Sequence, residues 1–250
     1  MIRVRTCIKV SSLHNLKSDT AILLFAHAAG EEVRYKTFSD QHDVKVNKKI
    51  ARAMLRYAIV VAQRAGMPLV PILSDRQCGS TFGERLANAF QEVFAAGFQR
   101  VICIGSDCPA LSVSDLVRAR EELRTANMVV GPATDGGAYL IGLHIDSFQL
   151  DSFAMLNWQT DELLNELMLY SFRQQSCLGC VSLLEEKADV DNSVDLKQQL
   201  QELPVYHTLR RQLNAILQSG IGLPVSRRVL FKPVQRHVRA LQRRAPPVYC

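Results

Sequence analysis

Val101 to Ile104 is a run of four apolar residues closed by Gly105, Ser106, Asp107, Cys108 and Pro109. A run this short, with no polar alternation, suits a strand buried on both faces, as in a parallel sheet. Strands of that kind must be covered by helices on both sides. The run also sets the Asp107 carboxylate where a buried strand leaves the sheet, the edge at which open α/β sheets bind ligands. Asp107 could equally be only a turn residue, since turns favour Asp for its local hydrogen bonding.

The rest of the chain repeats this pattern. Thr20 to His27 predicts a first strand. Gly30 to Val46 predicts a charged loop, and Val46 to Arg64 a long helix with Ile50, Met54, Tyr57 and Val61 on its apolar face. Leu69 to Leu73 predicts a second strand, and Gly83 to Ala96 a helix closed by Gly97. Ser112 or Ser114 can cap a helix running to about Thr125. Met128 to Gly131 and Leu140 to Leu143 read as strands around Asp135-Gly136-Gly137, a strong turn signal that suits a hairpin. Thr160 opens a helix to about Phe172, Cys180 to Leu184 reads as a late strand, and Asn192 or Ser193 caps a helix to Leu203. Strands alternating with helices imply an α/β fold: a three-layer α/β/α sandwich with a mostly parallel sheet over residues 1–203.

Charge marks off the remainder. Residues 204–250 hold nine Lys or Arg and no Asp or Glu, while residues 1–203 hold 21 basic and 24 acidic residues. The net charge of +6 therefore belongs to a basic C-terminal extension, not to the site. Tyr206 to Gln218 reads as a helix. After Pro233, Val234, Val238 and Leu241 alternate with Arg236, Arg239 and Arg243 in a basic amphipathic pattern. Such a segment suits an acidic partner, RNA or a membrane surface, or is a solvated extension. Phe231 and Tyr249 are its only late aromatics, which leaves base stacking poorly supported.

No run approaches the ~18 apolar residues of a transmembrane segment. Ala21 to Ala29 is short, is broken by His27, and reads as a core strand rather than a signal peptide. Seven scattered cysteines do not form a disulfide framework, and a reducing, cytoplasmic location is expected. Cys177 and Cys180 make one CxxC. Zinc would want a second pair and a thioredoxin-like site would want the pair opening a helix, so incidental cysteines are the favoured reading.

Asp107, Asp135 and Asp189 or Asp191 each follow a predicted strand. A sheet gathers such strand ends on one edge, so these carboxylates could converge there. Convergent oxygen ligands suit Mg²⁺ or Mn²⁺ together with substrate phosphates. Turn chemistry alone would also place Asp at these points.

GSDCPAL, GPATDGGAYLIGL and DVDNSVDL together resemble the GT-A-type nucleotide-diphosphosugar transferase superfamily. The likeness spans about residues 20–200 and is closest to an uncharacterised GT-A-like family, also called radical-SAM/selenodomain-associated transferases. Gln77-x-Gly79-x-x-Phe82-Gly83-Glu84-Arg85-Leu86 resembles its glycine-arginine loop, and Asn157-Trp158-x-Thr160 its Trp-x-Thr segment.

This resemblance implies a nucleotide or nucleotide-sugar donor, a small-molecule acceptor and a divalent metal, Mg²⁺ or Mn²⁺. Asp107 would be the main metal ligand, with Asp189 or Asp191 a second. Gly30, Lys36, Gly83, Arg85 and Ser106 would lie against the nucleotide. Asp135 would be catalytic on the acceptor side, lined by Gly136 and Gly137, with Tyr139 packing beside it. The chemistry implied is glycosyl transfer. The alternatives are nucleotidyl transfer to a small phosphorylated acceptor, or a degenerate binding or assembly protein. In place of the family's glycine-rich basic loop, this chain carries AHAAGEEVRYKTF, where Glu31 and Glu32 oppose phosphate and only Gly30, Arg34 and Lys36-Thr37 match the pattern. His27 and Cys108, near strand ends, are expected to pack rather than act as nucleophiles.

Overall fold

The computed structural model describes residues 18–40, 43–173 and 181–219. Strand β1, Thr20–Ala26, is buried at all seven positions. A four-residue helix α1, Ala29–Glu32, follows within the stretch expected to be a loop. Helix α2, Val44–Arg64, starts where the Asp43 carboxylate accepts from the amides of Lys45 and Val46. Its buried residues Val46, Ile50, Met54, Ala58 and Val61 recur at helical spacing.

Strand β2 is Leu69–Leu73, helix α3 is Phe82–Ala95, and β3 is Arg100–Ile104. Helix α4 is Val113–Glu122, and β4 and β5 are Met128–Pro132 and Ala138–His144. Capping boxes open α3 (Thr81 with Glu84) and α4 (Ser112 with Asp115), which settles the α4 cap on Ser112. Helices α5, Leu150–Ala154, and α6, Leu163–Arg173, precede the three-residue strand β6, Val181–Leu183. Helix α7, Ser193–Glu202, is capped by Asn192 with Asp195, and α8 is Thr208–Ser219.

The six strands form one sheet in the order β2-β1-β3-β5-β4-β6. All run the same way except β5, which is antiparallel to both β3 and β4. The cause is local. Only residues 133–137 join β4 to β5, too few for a crossover, so the chain must reverse as a hairpin. Gly136 makes that reversal at φ +87°, a conformation that costs glycine little.

Alternate residues of each strand feed opposite faces. Leu23, Phe25, Val101, Cys103, Val130 and Ile141 pack with α3 and α6 around Phe90 and Phe153. Ile22, Leu24, Ile102, Ile104, Val129 and Leu140 pack with α2 and α4. Helices lie on both faces, which is the three-layer α/β/α sandwich expected. A third cluster joins α2, α7 and α8 through Ile50, Met54, Val190, Leu196, Leu209 and Leu213. Packing thus continues through α8, past residue 203. The rest of the basic segment, residues 220–250, and the Cys177–Cys180 pair lie outside the described residues. No helix among the described residues is long and apolar enough to cross a membrane.

Candidate functional site

β1, β3, β4 and β6 all deliver their carboxyl ends to one edge of the sheet. The chain leaving β6 is drawn across that edge. The amide of Leu184 donates to the Val130 carbonyl (2.9 Å), that of Lys187 to Pro132 (3.1 Å), and that of Val190 to Asp107 (2.9 Å). Parallel bridges pair Ala133 with Lys187 and Thr37 with Asn192. The segment is extended, so neighbouring side chains alternate. Val190 is fully buried, while Asp189 and Asp191 line a pocket on the other side.

Lys36 stands at the centre of the carboxylates. Its ammonium lies 2.8 Å from Asp107 Oδ2, 2.7 Å from Asp191 Oδ1 and 3.4 Å from Glu32 Oε1. Burial pulls its pKa down, but the charge of Asp107 and the bonds to Asp107 and Asp191 outweigh this and hold it above the usual range. Glu32 is buried, and burial raises its pKa against the opposing pull of Lys36. The acid expected to oppose phosphate is therefore turned inward and neutralised by its neighbour four residues on. A Cβ at Gly105 would lie 2.5 Å from Asp107 Oδ1, so the aspartate folds over that glycine.

Asp189 is the most perturbed carboxyl. Burial first, then the charges of Asp107 and Asp135, push its pKa up to about 8 despite Lys36. Its Oδ1 is buried with no hydrogen-bond partner. Asp135, Asp189, Asp191 and Asp195 share a pocket of about 140 Å³ with Thr134 and Gln198. Among the described residues, no three His, Cys, Asp or Glu form a ready metal cage.

The structure thus brings Lys36, Asp107 and Asp191 into contact with Asp189 beside them, and Asp135 shares a pocket with Asp189 and Asp191. The other expected residues take separate places. Gly83 is buried, and a Cβ there would meet the Ala154 carbonyl at 2.1 Å and Trp158 at 2.5 Å, which explains the glycine by packing. Arg85 stands at the head of α3 and donates to the Ser80 carbonyl at 3.4 Å. Gly30 lies in α1, where a Cβ would come within 3.3 Å of Lys48 Nζ. Ser106 is half-buried in the loop after β3. The Gly137 amide donates to Asp135 Oδ1 at 2.9 Å, and the Gly136 carbonyl accepts from Leu164 at 3.1 Å. Tyr139 is buried, its ring against Gly131 and its hydroxyl donating to the Glu185 carbonyl at 2.9 Å.

Burial raises the thiol pKa of both Cys103 and Cys108, so neither is a ready nucleophile, in keeping with the packing role expected for Cys108. Two site features escaped the sequence. Asp195 enters the pocket from the α7 capping box, a spacing visible in DVDNSVDL. Tyr35, 73% exposed, stacks on His27 at 5.1 Å beside Lys36. A second cavity, about 810 Å³, opens at the opposite sheet edge next to Ser18. Its arginines are already matched: Arg100 pairs with Asp19, and Arg120 and Arg124 with Glu121. Each arginine is thus ion-paired, although three guanidiniums share two carboxylates.

Residues 46–160 match a family described as an uncharacterised protein conserved in bacteria, DUF2064. No curated protein matches the chain. Among solved structures, a Desulfovibrio desulfuricans protein described as a nucleotide-diphospho-sugar transferase is 23% identical. That match covers 80% of this chain and 97% of the other with a TM-score of 0.69, and it shows a common fold. Rv0371c from Mycobacterium tuberculosis in complex with manganese is 15% identical over 74% of this chain and 99% of its own, with a TM-score of 0.40. A cytidylyltransferase from Leptospira borgpetersenii is 10% identical over 81% and 95%, with a TM-score of 0.35.

Proposed function

We propose that the chain is a transferase acting on a nucleotide-activated donor, with glycosyl transfer to a small-molecule acceptor as its reaction. The observation that carries this reading is the convergence of Lys36, Asp107, Asp189 and Asp191 at the carboxyl edge of the sheet. The fold shared with a protein described as a nucleotide-diphospho-sugar transferase supports it.

Carboxylate oxygens are the donors Mg²⁺ and Mn²⁺ prefer. The buried Asp189 oxygen lacks a protein partner, and a cation or its water would satisfy it. A divalent metal would be held by Asp107 and Asp191, with Asp189 beside them, although among the described residues no three such groups stand ready as a cage. When bound, the cation supplies neutralisation of the charge that develops on the leaving phosphate. Charge balance supports the same conclusion, because a diphosphate entering a pocket lined by four aspartates needs positive charge to accompany it.

The chain's own groups divide the remaining work. Lys36 would contact phosphate oxygens, while Arg85, Gly30 and Ser106, which stand in separate places, would lie along the rest of the donor. Tyr35 offers its exposed ring to the base. Asp135, on the hairpin turn shaped by Gly136 and Gly137, takes the acceptor proton as general base. Gly83 lets α3 pack closely on Ala154 and Trp158, and Tyr139 holds the Glu185 carbonyl. Buried free thiols at Cys103 and Cys108 are in keeping with a reducing compartment such as the cytoplasm.

A second reading, a non-catalytic binding protein, is favoured by the pocket's size. About 140 Å³ is less than the roughly 300–1,000 Å³ usual for small-molecule sites. Thermal unfolding against nucleoside triphosphates and nucleotide sugars, with and without Mn²⁺ or Mg²⁺, separates the two. Ligand at ~100 times its Kd adds about 2.7 kcal/mol, a shift of several degrees. A metal-dependent shift for one nucleotide, lost in Asp107→Asn, is the expected result. No shift across the panel overturns the donor reading and leaves the binding protein. Product analysis with the nucleotide so identified then separates glycosyl from nucleotidyl transfer.

A further inference from the structure

We infer that Lys36 is the resident counter-cation of this site, and that a divalent metal and the Lys36 ion pairs exclude one another. The inference rests on the metal-binding part of the proposed function. An ammonium 2.8 Å from Asp107 and 2.7 Å from Asp191 stands in the space between the two carboxylates. A metal ion bonding both at about 2.0–2.2 Å needs that same space. Two cations cannot share it, so metal entry requires the ammonium to leave.

The fold gives the ammonium somewhere to go. Glu32 lies one helical turn before Lys36, buried and already 3.4 Å from its Nζ. Lys36 can give up Asp107 and Asp191 and keep Glu32 by rotating its flexible side chain. The backbone need not follow. The Thr37–Asn192 bridge and the bond from the Val190 amide to Asp107 hold the flanking loops in place. Until metal arrives, Lys36 keeps mutually repelling carboxylates together. Afterwards it stays paired with Glu32 and no longer neutralises Asp107 and Asp191. One cation replaces another, and no covalent step is involved.

The test is Mn²⁺ binding by the full chain without nucleotide, read as loss of the free-ion electron paramagnetic resonance signal. Lys36→Met is expected to bind Mn²⁺ about tenfold more tightly than wild type, the equivalent of a charge-assisted hydrogen bond removed from the competitor. Lys36→Arg, which keeps the charge, stays near wild type. Equal or weaker binding by Lys36→Met overturns the inference. A second measurement needs no variant. Acylation of lysines followed by mass spectrometry reads slow labelling of Lys36 in metal-free wild type and faster labelling at saturating Mn²⁺. Unchanged labelling also overturns the inference. If neither protein binds Mn²⁺, the inference falls together with the metal assignment. The donor assignment is still judged separately, by whether any nucleotide shifts the unfolding temperature either with or without Mn²⁺.

Discussion

The Val190 amide donates to the Asp107 carbonyl at 2.9 Å, and this backbone bond sets Asp107 opposite Asp189 and Asp191. It holds because the Val190 side chain is fully buried with Phe38 and Leu196, anchoring the segment from the other face. The aligned carboxylates are thus a packing consequence of an apolar residue. Val190→Ala should cost about 2 kcal/mol by leaving a cavity, measured by urea unfolding. It should also weaken the nucleotide-dependent thermal shift, although Val190 contacts no ligand. An unchanged shift would mean that the carboxylates are aligned by something else.

Gly83→Ala should be severely destabilising. The added methyl would meet a backbone carbonyl, Ala154 O, at 2.1 Å, so α3 and α5 would have to move apart. Overpacking of this kind costs about 3 kcal/mol. Trp158, the single tryptophan, lies against the same glycine and should shift its emission to the red. Normal stability with lost nucleotide binding would instead place Gly83 at the donor.

Much of this architecture was legible because the sheet is buried on both faces. Val101–Ile104 and Met128–Gly131 read as uninterrupted apolar runs and each is a strand, and Leu69–Leu73 is an edge strand despite its exposed Pro71. The Asp135-Gly136-Gly137 signal gave the hairpin, and with it the one reversed strand. Helix α1 was hidden because four residues fall below any periodic signal and carry two glutamates. That omission misjudged Glu32, which local sequence presents as a surface charge and the fold turns inward. The candidate carboxylates were legible from strand ends and from resemblance. Their shared partner was not, since Lys36 lies 71 residues from Asp107 and only tertiary packing pairs them. Gly83 was misleading for the reverse reason: a glycine beside an arginine at a helix start is compatible with phosphate binding and with close helix packing alike.

Tyr139→Phe should separate support from contact. It removes the hydroxyl that donates to the Glu185 carbonyl at 2.9 Å and keeps the buried ring. The expected loss is about 1 kcal/mol of stability, by chemical denaturation, with the nucleotide-induced shift unchanged. A large loss of binding at full stability would move Tyr139 into the acceptor pocket itself.

Asp189 should make the metal-free protein less stable as pH rises. Its folded-state pKa, pushed up to about 8 by burial and then by Asp107 and Asp135, stands above the ~3.9 of an unfolded aspartate. Between those values the folded chain holds a proton that the unfolded chain has released. The folded state binds more protons there, so unfolding free energy falls with increasing pH. The contribution is fully present below about pH 4, declines as pH climbs toward 8, and levels off above it. Asp189→Asn keeps the shape, removes the ionisation and should flatten this part of the profile. The variant should therefore gain on wild type between pH 5 and pH 8, by about 1 to 3 kcal/mol. Urea midpoints at several pH values in EDTA read the difference directly. Parallel profiles for the two proteins would show that Asp189 is already ionised in the folded state, and that the remaining carboxylates and Lys36 tolerate its charge.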